Sequence, residues 1–361
     1  MPAPRRYGAI EGRTASVIYL HIGRNKAGST TLQDFFLKNI AELERHGIHY
    51  ALYGHLKDSV PGVPGFDRQD AIASYARTYP ERSLLISHEW MLQWDAIHAE
   101  IMAAALRGLP VKIIVHMRPY PSWICSNYAQ DVRIGESSEH FDDYFESFRP
   151  KLSMWPDLRR WGELFGWDNV IVRLIDARNT PWRSLTGDFL EILGLDAGLG
   201  SAVPPSNQSP SWAITEFLRA MSQLKAGPAT TEALQKLLQK FLDANPLIGR
   251  DVQYLTPAQG RQVAEIYAED IARINDFANA RLDPEPLAAL PDRPFLPAFR
   301  QLPPVILRDF ADRAGARDFM SVHPEATAAL QGLGLLRRPF GEGMRGMAAA
   351  VRRRYGFTTG I

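Results

Sequence analysis

Apolar positions along the chain come in short unbroken runs separated by stretches of helical period. Ser16–His21 is a continuous apolar run rich in β-branched residues, and Ser83–Ser87, Val111–Met117 and Asn169–Ile175 repeat the pattern. Such runs suit strands buried on both faces. Ile48–Leu52 reads as a further short strand. Between them, Leu32, Phe35, Phe36, Ile40 and Leu43 fall at helical spacing as one helix that Gly47 ends. Asp70–Tyr79, Asp95–Leu106 with Asp95 as N-cap, Pro121–Val132, Asp142–Phe148, Asp157–Phe165 and Trp182–Leu193 complete the helical set, and Asp58–Asp67 reads as a loop. Strands alternating with helices predict an α/β fold, a three-layer arrangement with a parallel sheet covered on both faces.

The pattern changes after Ala202. Trp212–Leu224, Thr230–Leu242 and Pro257–Phe277 read as helices with no strand among them, and Pro284–Pro304 is proline-rich. The expected organisation is a core over 14–200, a helical acceptor-side region over 201–300 and a C-terminal extension over 301–361.

The first strand leads into Gly23-Arg24-Asn25-Lys26-Ala27-Gly28-Ser29-Thr30-Thr31, followed by a helix. Two glycines four residues apart between strand and helix have the form of a phosphate-cradling P-loop. Glycine lets the backbone approach an anion, and the helix start directs N–H groups and a positive dipole end at it. A nucleotide-hydrolysing loop carries lysine directly after the second glycine. Here that position is Ser29, and the lysine, Lys26, lies inside the loop.

In parallel sheets ligands bind beyond the carboxyl ends of the strands. That edge collects the loop, His88 and Glu89 after the strand ending at Ser87, and Arg118 after the strand ending at Met117. Arginine presents a planar donor fork suited to phosphate. Ser126 stands eight residues on, on the following helix. Glu89 or His88 at this edge could take a proton from an acceptor hydroxyl, or could be a helix cap and a half-buried ring.

Charge and composition narrow the partners. The chain has 361 residues, a net charge of +1 and a hydrophobic share of 45%, which give no general case for nucleic acid. The last 31 residues hold six arginines against Glu342. Met344, Met347, Ala348, Val351 and Tyr355 share one helical face there, so a basic helix could dock on the core or touch anionic lipid or an acidic polymer. Cys125 is the sole cysteine, which excludes an intrachain disulfide. The N-terminus lacks a signal-peptide core and no run reaches a membrane span, so a cytoplasmic protein is expected.

These residues carry a resemblance. Tyr19-Leu-His-Ile-Gly-Arg-Asn-Lys-Ala-Gly-Ser-Thr-Thr-Leu-Gln33 resembles the 5′-phosphosulfate loop of the sulfotransferase family, in particular its bacterial carbohydrate-type members. Arg118 with Ser126, within the run Ser126–Gln130, is similar to that family's 3′-phosphate motif. Leu85-Ile-Ser-His-Glu89 is similar to its strand ending in Ser-Ser-Glu, and Arg45–Tyr50 to the segment closing its first helix. The resemblance spans about half the chain. It implies a P-loop-type fold, the donor 3′-phosphoadenosine 5′-phosphosulfate (PAPS), no required metal, and sulfuryl transfer to a hydroxyl or amine. It further implies that Gly23, Arg24, Asn25, Lys26, Ala27, Gly28, Ser29, Thr30 and Thr31 form the donor-binding loop, in which Lys26 assists the leaving phosphate and Gly28 to Thr31 cradle the 5′-phosphate, and that Arg118 and Ser126 hold the 3′-phosphate. Glu89 would be the base, with His88, which stands where the family has serine, as its rival. Ala27 replaces the family's usual hydroxyl residue. Two alternatives remain open: a P-loop kinase or NTPase with a shifted lysine, and a non-catalytic nucleotide-binding module. The acceptor, a saccharide or other small molecule, has no legible signature, although Trp155, Trp161 and Trp212 could stack on a sugar or fill the core.

Overall fold

The computed structural model describes residues 16–53, 65–66, 68–175, 182–201, 212–223, 235, 254–278, 280 and 282. Six strands form one parallel sheet: β1 (Ile18–His21), β2 (Ile48–Tyr53), β3 (Gly65–Phe66), β4 (Ser83–Ser87), β5 (Val111–Met117) and β6 (Val170–Leu174). Their order is β3-β2-β4-β1-β5-β6. The chain is α/β with an all-parallel sheet, as the apolar runs predict. It leaves β1 toward one edge, returns through β4, and then crosses to β5 on the other side. The carboxyl end of β1 is therefore the point where the winding reverses, the place where such sheets bind their ligands.

The helices are α1 (Ser29–Lys38), α2 (Ile40–Arg45), α3 (Gln69–Thr78), α4 (Ala96–Ala105), α5 (Tyr120–Ile134), α6 (Phe141–Phe148), α7 (Trp155–Phe165), α8 (Trp182–Ile192), α9 (Trp212–Gln223) and α10 (Pro257–Ala278). Two compact units divide these residues. One draws on Met1–Asn127, Ser147–Gln208 and Leu255–Asp292, the other on Tyr128–Glu146, Ser209–Tyr254 and Arg293–Ile361. α10 touches β6 and α7.

In the sheet unit, α1 and α8 cover one face. Leu32, Phe35 and Phe36 of α1 and Leu185, Phe189 and Leu190 of α8 pack with Tyr50, Leu85 and Ile114 of the strands. The Phe36 ring is fully buried against Phe189, at 4.9 Å, and Tyr50, at 5.2 Å. Burial of such a ring contributes about 1.5–3 kcal/mol. α7 meets β5, β6 and α4. Its Trp161 is fully buried and donates Nε1–H to the Leu92 carbonyl at 3.3 Å, so that tryptophan is core. Trp155 stacks on Trp167 at 5.5 Å.

Two local expectations are corrected. The helix expected through Leu43 breaks at Asn39, whose amide turns back to accept from Ser201 N–H at 2.7 Å and to donate to the Phe35 carbonyl at 2.8 Å. A side chain that satisfies backbone groups outside the helix competes with helix continuation. Within the expected loop 58–67, Gly65–Phe66 pairs in parallel with Leu52–Tyr53. Asp95 is the N-cap of α4, accepting from His98 N–H at 2.9 Å.

A buried carboxylate ties α10 to the sheet. Asp270, 1% exposed, accepts from Tyr120 O–H at 2.5 Å, Ser153 O–H at 2.8 Å, and the N–H groups of Met154 and Trp155 at 2.7 and 3.2 Å. It thereby caps α7, whose own N-cap position, Met154, provides no side-chain bond.

In the second unit Tyr128 lies among Phe141, Tyr144 and Tyr254. Its hydroxyl donates to Glu216, which also accepts from Arg219 at 2.9 Å in a buried ion pair. The expected helix Thr230–Leu242, save Gln235, the segments Pro204–Pro210 and Pro284–Pro304, the Trp212 side chain and the basic C-terminal helix lie outside the described residues. No described helix is long and apolar enough to cross a membrane.

Candidate functional site

Three strand ends converge where the sheet's winding reverses: β1 leading into the loop, β4 leading into His88 and Glu89, and β5 leading into Arg118. The ladder extends past the strands. Ile22 N–H donates to the Ile114 carbonyl at 3.0 Å and His88 N–H to the His21 carbonyl at 2.9 Å. The loop and Glu89 are thus held by backbone bonds up to the point where they diverge.

The loop has a strained centre. Lys26 has φ +62°, the one positive φ on a non-glycine residue among those described. A side chain in the left-handed region costs energy and persists where surrounding structure demands it. Gly28, at φ +82°, is the N-cap of α1 and provides no side-chain cap, and the first helical bond runs from Leu32 N–H to the Gly28 carbonyl at 3.1 Å. The N–H groups of Ser29, Thr30 and Thr31 are those that a helix start offers to a cap or an anion. No acidic residue occupies that first turn.

Some loop side chains are structural. Arg24 is 4% exposed and its guanidinium points inward, donating to the carbonyls of Leu152 and Lys151 at 2.7 Å each and lying 3.7 Å over the Trp123 ring. Asn25 donates to Asn127 at 2.9 Å, and its carbonyl accepts from Trp123 Nε1–H at 2.8 Å. Ala27 packs in the core with Phe35 and Leu52. What Arg24, Asn25 and Ala27 can offer an anion is backbone N–H. A Cβ on Gly23 would stand 3.3 Å from the backbone N and O of His116, so a larger residue fits only if the β5 backbone gives by a few tenths of an ångström.

Glu89 accepts a hydrogen bond from the Ser29 hydroxyl, so β4's exit and the start of α1 are joined directly. Burial raises the Glu89 carboxyl above the ordinary glutamate range, with the Lys26 charge acting in the opposite direction. A carboxylate so raised is a stronger base near neutrality. His88 is pushed down by burial and lies edge-on to Tyr53 at 5.9 Å. Its ring is neutral at pH 7, and so also able to accept a proton.

At the third strand end Arg118 donates from Nε to Ser122 Oγ at 2.9 Å and from Nη1 to Ser126 Oγ at 3.0 Å. Ser122 and Ser126 stand one turn apart on α5, so both hydroxyls face the fork. Ser122 was missed in the sequence. Its signal was the i, i+4 spacing from Ser126 just after Arg118. Lys26, Glu89 and Arg118 therefore follow neighbouring strand ends, with Ser126 of α5 bonded to Arg118 and His88 next to Glu89. Among the described residues no three His, Cys, Asp or Glu side chains cluster as a metal site.

No family model matches the chain, and no curated protein matches it. A solved structure titled as a sulfotransferase from Alicyclobacillus acidocaldarius is similar over 73% of this chain and 96% of its own, at 14% identity and a TM-score of 0.41.

Proposed function

We propose that the chain is a sulfotransferase that moves a sulfuryl group from PAPS to a hydroxyl or amine of a carbohydrate or other small acceptor. The observation that supports this most is the Arg118 fork on Ser122 and Ser126, one strand from the Lys26 loop. It provides a second anion site beside the first, as a donor with separate 5′ and 3′ phosphates needs. The donor set fits such a molecule: helix-start N–H groups and an ammonium at one site, a guanidinium with two hydroxyls at the other. Gly28 to Thr31 would hold the 5′-phosphate, and Arg118 and Ser126 the 3′-phosphate. When bound, the donor supplies an activated sulfuryl group on a phosphate leaving group.

The chain's own residues have separable tasks. Lys26 offsets negative charge that builds on a departing phosphate oxygen. Glu89 takes the proton of the acceptor hydroxyl, and the Ser29 hydroxyl aims its carboxylate until an acceptor arrives. The shared cradle fixes the in-line geometry that displacement requires. Isothermal calorimetry with 3′,5′-adenosine bisphosphate tests the reading. Saturable binding supports it, and no binding overturns it.

The Ser29–Glu89 pair favours a second reading, a kinase or NTPase in which these two oxygens serve Mg²⁺. Magnesium-dependent ATP consumption unaffected by the bisphosphate would select that reading.

A further inference from the structure

Beneath the three strand ends lies a line of polar groups, buried at its centre, that neither binding nor proton transfer uses. Gln33 Nε2 donates to Ser87 Oγ at 3.4 Å. Ser87 Oγ is 2.8 Å from His21 Nδ1, and His21 Nε2 is 3.2 Å from His116 Nδ1. His116 Nε2 then approaches Asp188 Oδ2 at 3.5 Å, and Asp188 Oδ1 accepts from Arg173 Nε at 3.0 Å. Ser87 and His116 are fully buried and His21 is 1% exposed.

The charge at the Asp188 end, which faces His116 Nε2 beyond hydrogen-bond length, sets the direction of the line. Asp188 as a carboxylate only accepts. Although burial works against its charge, the neighbouring His116 ring and Arg173 hold it below the usual range. His116 Nε2 makes no hydrogen bond, but it faces that negative charge at 3.5 Å, which favours the proton on Nε2 and leaves Nδ1 bare. His21 must donate from Nε2 to that bare nitrogen, so its own Nδ1 is bare and accepts from the Ser87 hydroxyl. Ser87 in turn accepts from Gln33. One order of protons satisfies the line, with both imidazoles neutral and in the same tautomer.

Position makes this order consequential. His21 is the last residue of β1, two before Gly23. Ser87 is the last of β4, two before Glu89, and pairs in register with His21. His116 lies two before Arg118. A Cβ on Gly23 would meet His21 Nε2 at 3.2 Å, so the loop's entry rests on the histidine pair. We infer that Gln33, Ser87, His21, His116 and Asp188 form a proton-ordered positioning network that sets the anion loop, Glu89 and Arg118 relative to one another. The positioning part rests on the reading of those three ends as one anion site; the proton order does not.

The groups facing the pair are few. His21 meets His116, Ser87 and the Phe189 ring at 5.3 Å; His116 meets His21, Asp188, Arg173 and Phe189 at 5.6 Å. A proton added to either imidazole turns an acceptor into a second donor and sets two N–H groups, or an N–H and an O–H, against each other. Burial already disfavours that proton on both rings, and for His21 the neighbouring His116 adds to it.

The test has two independent arms, both on the full chain. Nitrogen NMR of ¹⁵N-histidine protein at pH 7.5, assigned by loss of signals in His116→Asn, reads the tautomers. Bare Nδ1 and protonated Nε2 on both rings are expected; an Nδ1–H form or a charged ring overturns the order. Calorimetry with 3′,5′-adenosine bisphosphate then reads positioning. His116→Leu removes the acceptor for His21 and should weaken binding about tenfold or more, whereas His116→Asn, which keeps an acceptor oxygen near the Nδ1 position, should stay within about threefold. Equal affinities for wild type and His116→Leu overturn the positioning role. If His116→Leu does not fold, Ser87→Ala, which deletes one hydroxyl, carries the same comparison. If the wild type itself binds no bisphosphate, the donor reading and the positioning role fail together while the NMR arm still decides the proton order.

Discussion

The Ser29 hydroxyl donates to the Glu89 carboxylate, joining the first residue of α1 to the first residue after His88 across 60 positions of sequence. One hydroxyl thus ties the anion loop to the candidate base. Replacing Glu89 by Gln keeps the hydrogen-bonding shape and removes the base. Turnover should fall about 10²–10⁴-fold with bisphosphate affinity little changed. His88→Ala should retain most activity. A collapse of turnover in His88→Ala alone would move the proton acceptor to the imidazole.

Lys26 and Arg118 should separate in kinetics. Lys26→Ala is expected to lower kcat about 10²–10³-fold, because its charge matters most as the leaving oxygen gains negative charge. Arg118→Ala should act on affinity, weakening the bisphosphate about 10- to 150-fold, as loss of a charge-assisted contact does. Steady-state kinetics beside calorimetry distinguishes the two.

Arg24 is charged, sits in the loop, and is nonetheless a packing residue. Arg24→Ala leaves the carbonyls of Lys151 and Leu152 without their donor and uncovers Trp123, at a cost of about 3 kcal/mol. Arg24→Lys should recover little, since an ammonium cannot reproduce the planar fork. The midpoint of denaturant unfolding should drop in both variants at unchanged slope.

Stability should depend on pH through histidines. Burial lowers His21, His116, His49 and His88 in the folded chain. The unfolded chain then takes up more protons, so stability is complete above about pH 6.5 and is lost as pH falls below it. Glu89 has the opposite sign. Its raised value means that its contribution is largest at low pH and is lost as pH rises through the folded value. Asp157, likewise raised by burial, has the same sign as Glu89. Four histidines against these two carboxyls should give a net decline on acidification, read as a falling melting temperature between pH 7 and 5.

Much of this was legible in the sequence. Buried parallel strands are unbroken apolar runs, so β1, β4, β5 and β6 announce themselves. The strand-end rule then places Lys26, Glu89 and Arg118 together without coordinates. What stayed hidden depends on contacts between distant segments. Asn39 is an ordinary helical position until residue 201 offers it a backbone partner, and β3 is two residues with no period to read. Arg24 looks like a phosphate ligand because nothing local reveals the carbonyls of residues 151 and 152. The His21–His116 line is invisible for the same reason: single histidines on two apolar strands carry no spacing signal.

The cap that Asp270 places on α7 has a consequence for synthesis. All six strands have been made once Leu174 is reached, yet Tyr120, Ser153 and the first N–H groups of α7 still lack their acceptor. It arrives with α10, almost a hundred residues later, an interval of roughly 5–20 s on the ribosome. During that time the sheet's far helix is an unfinished surface on the nascent chain, so a chain released before Ala278 should be recognised by quality control rather than persist as a shortened protein.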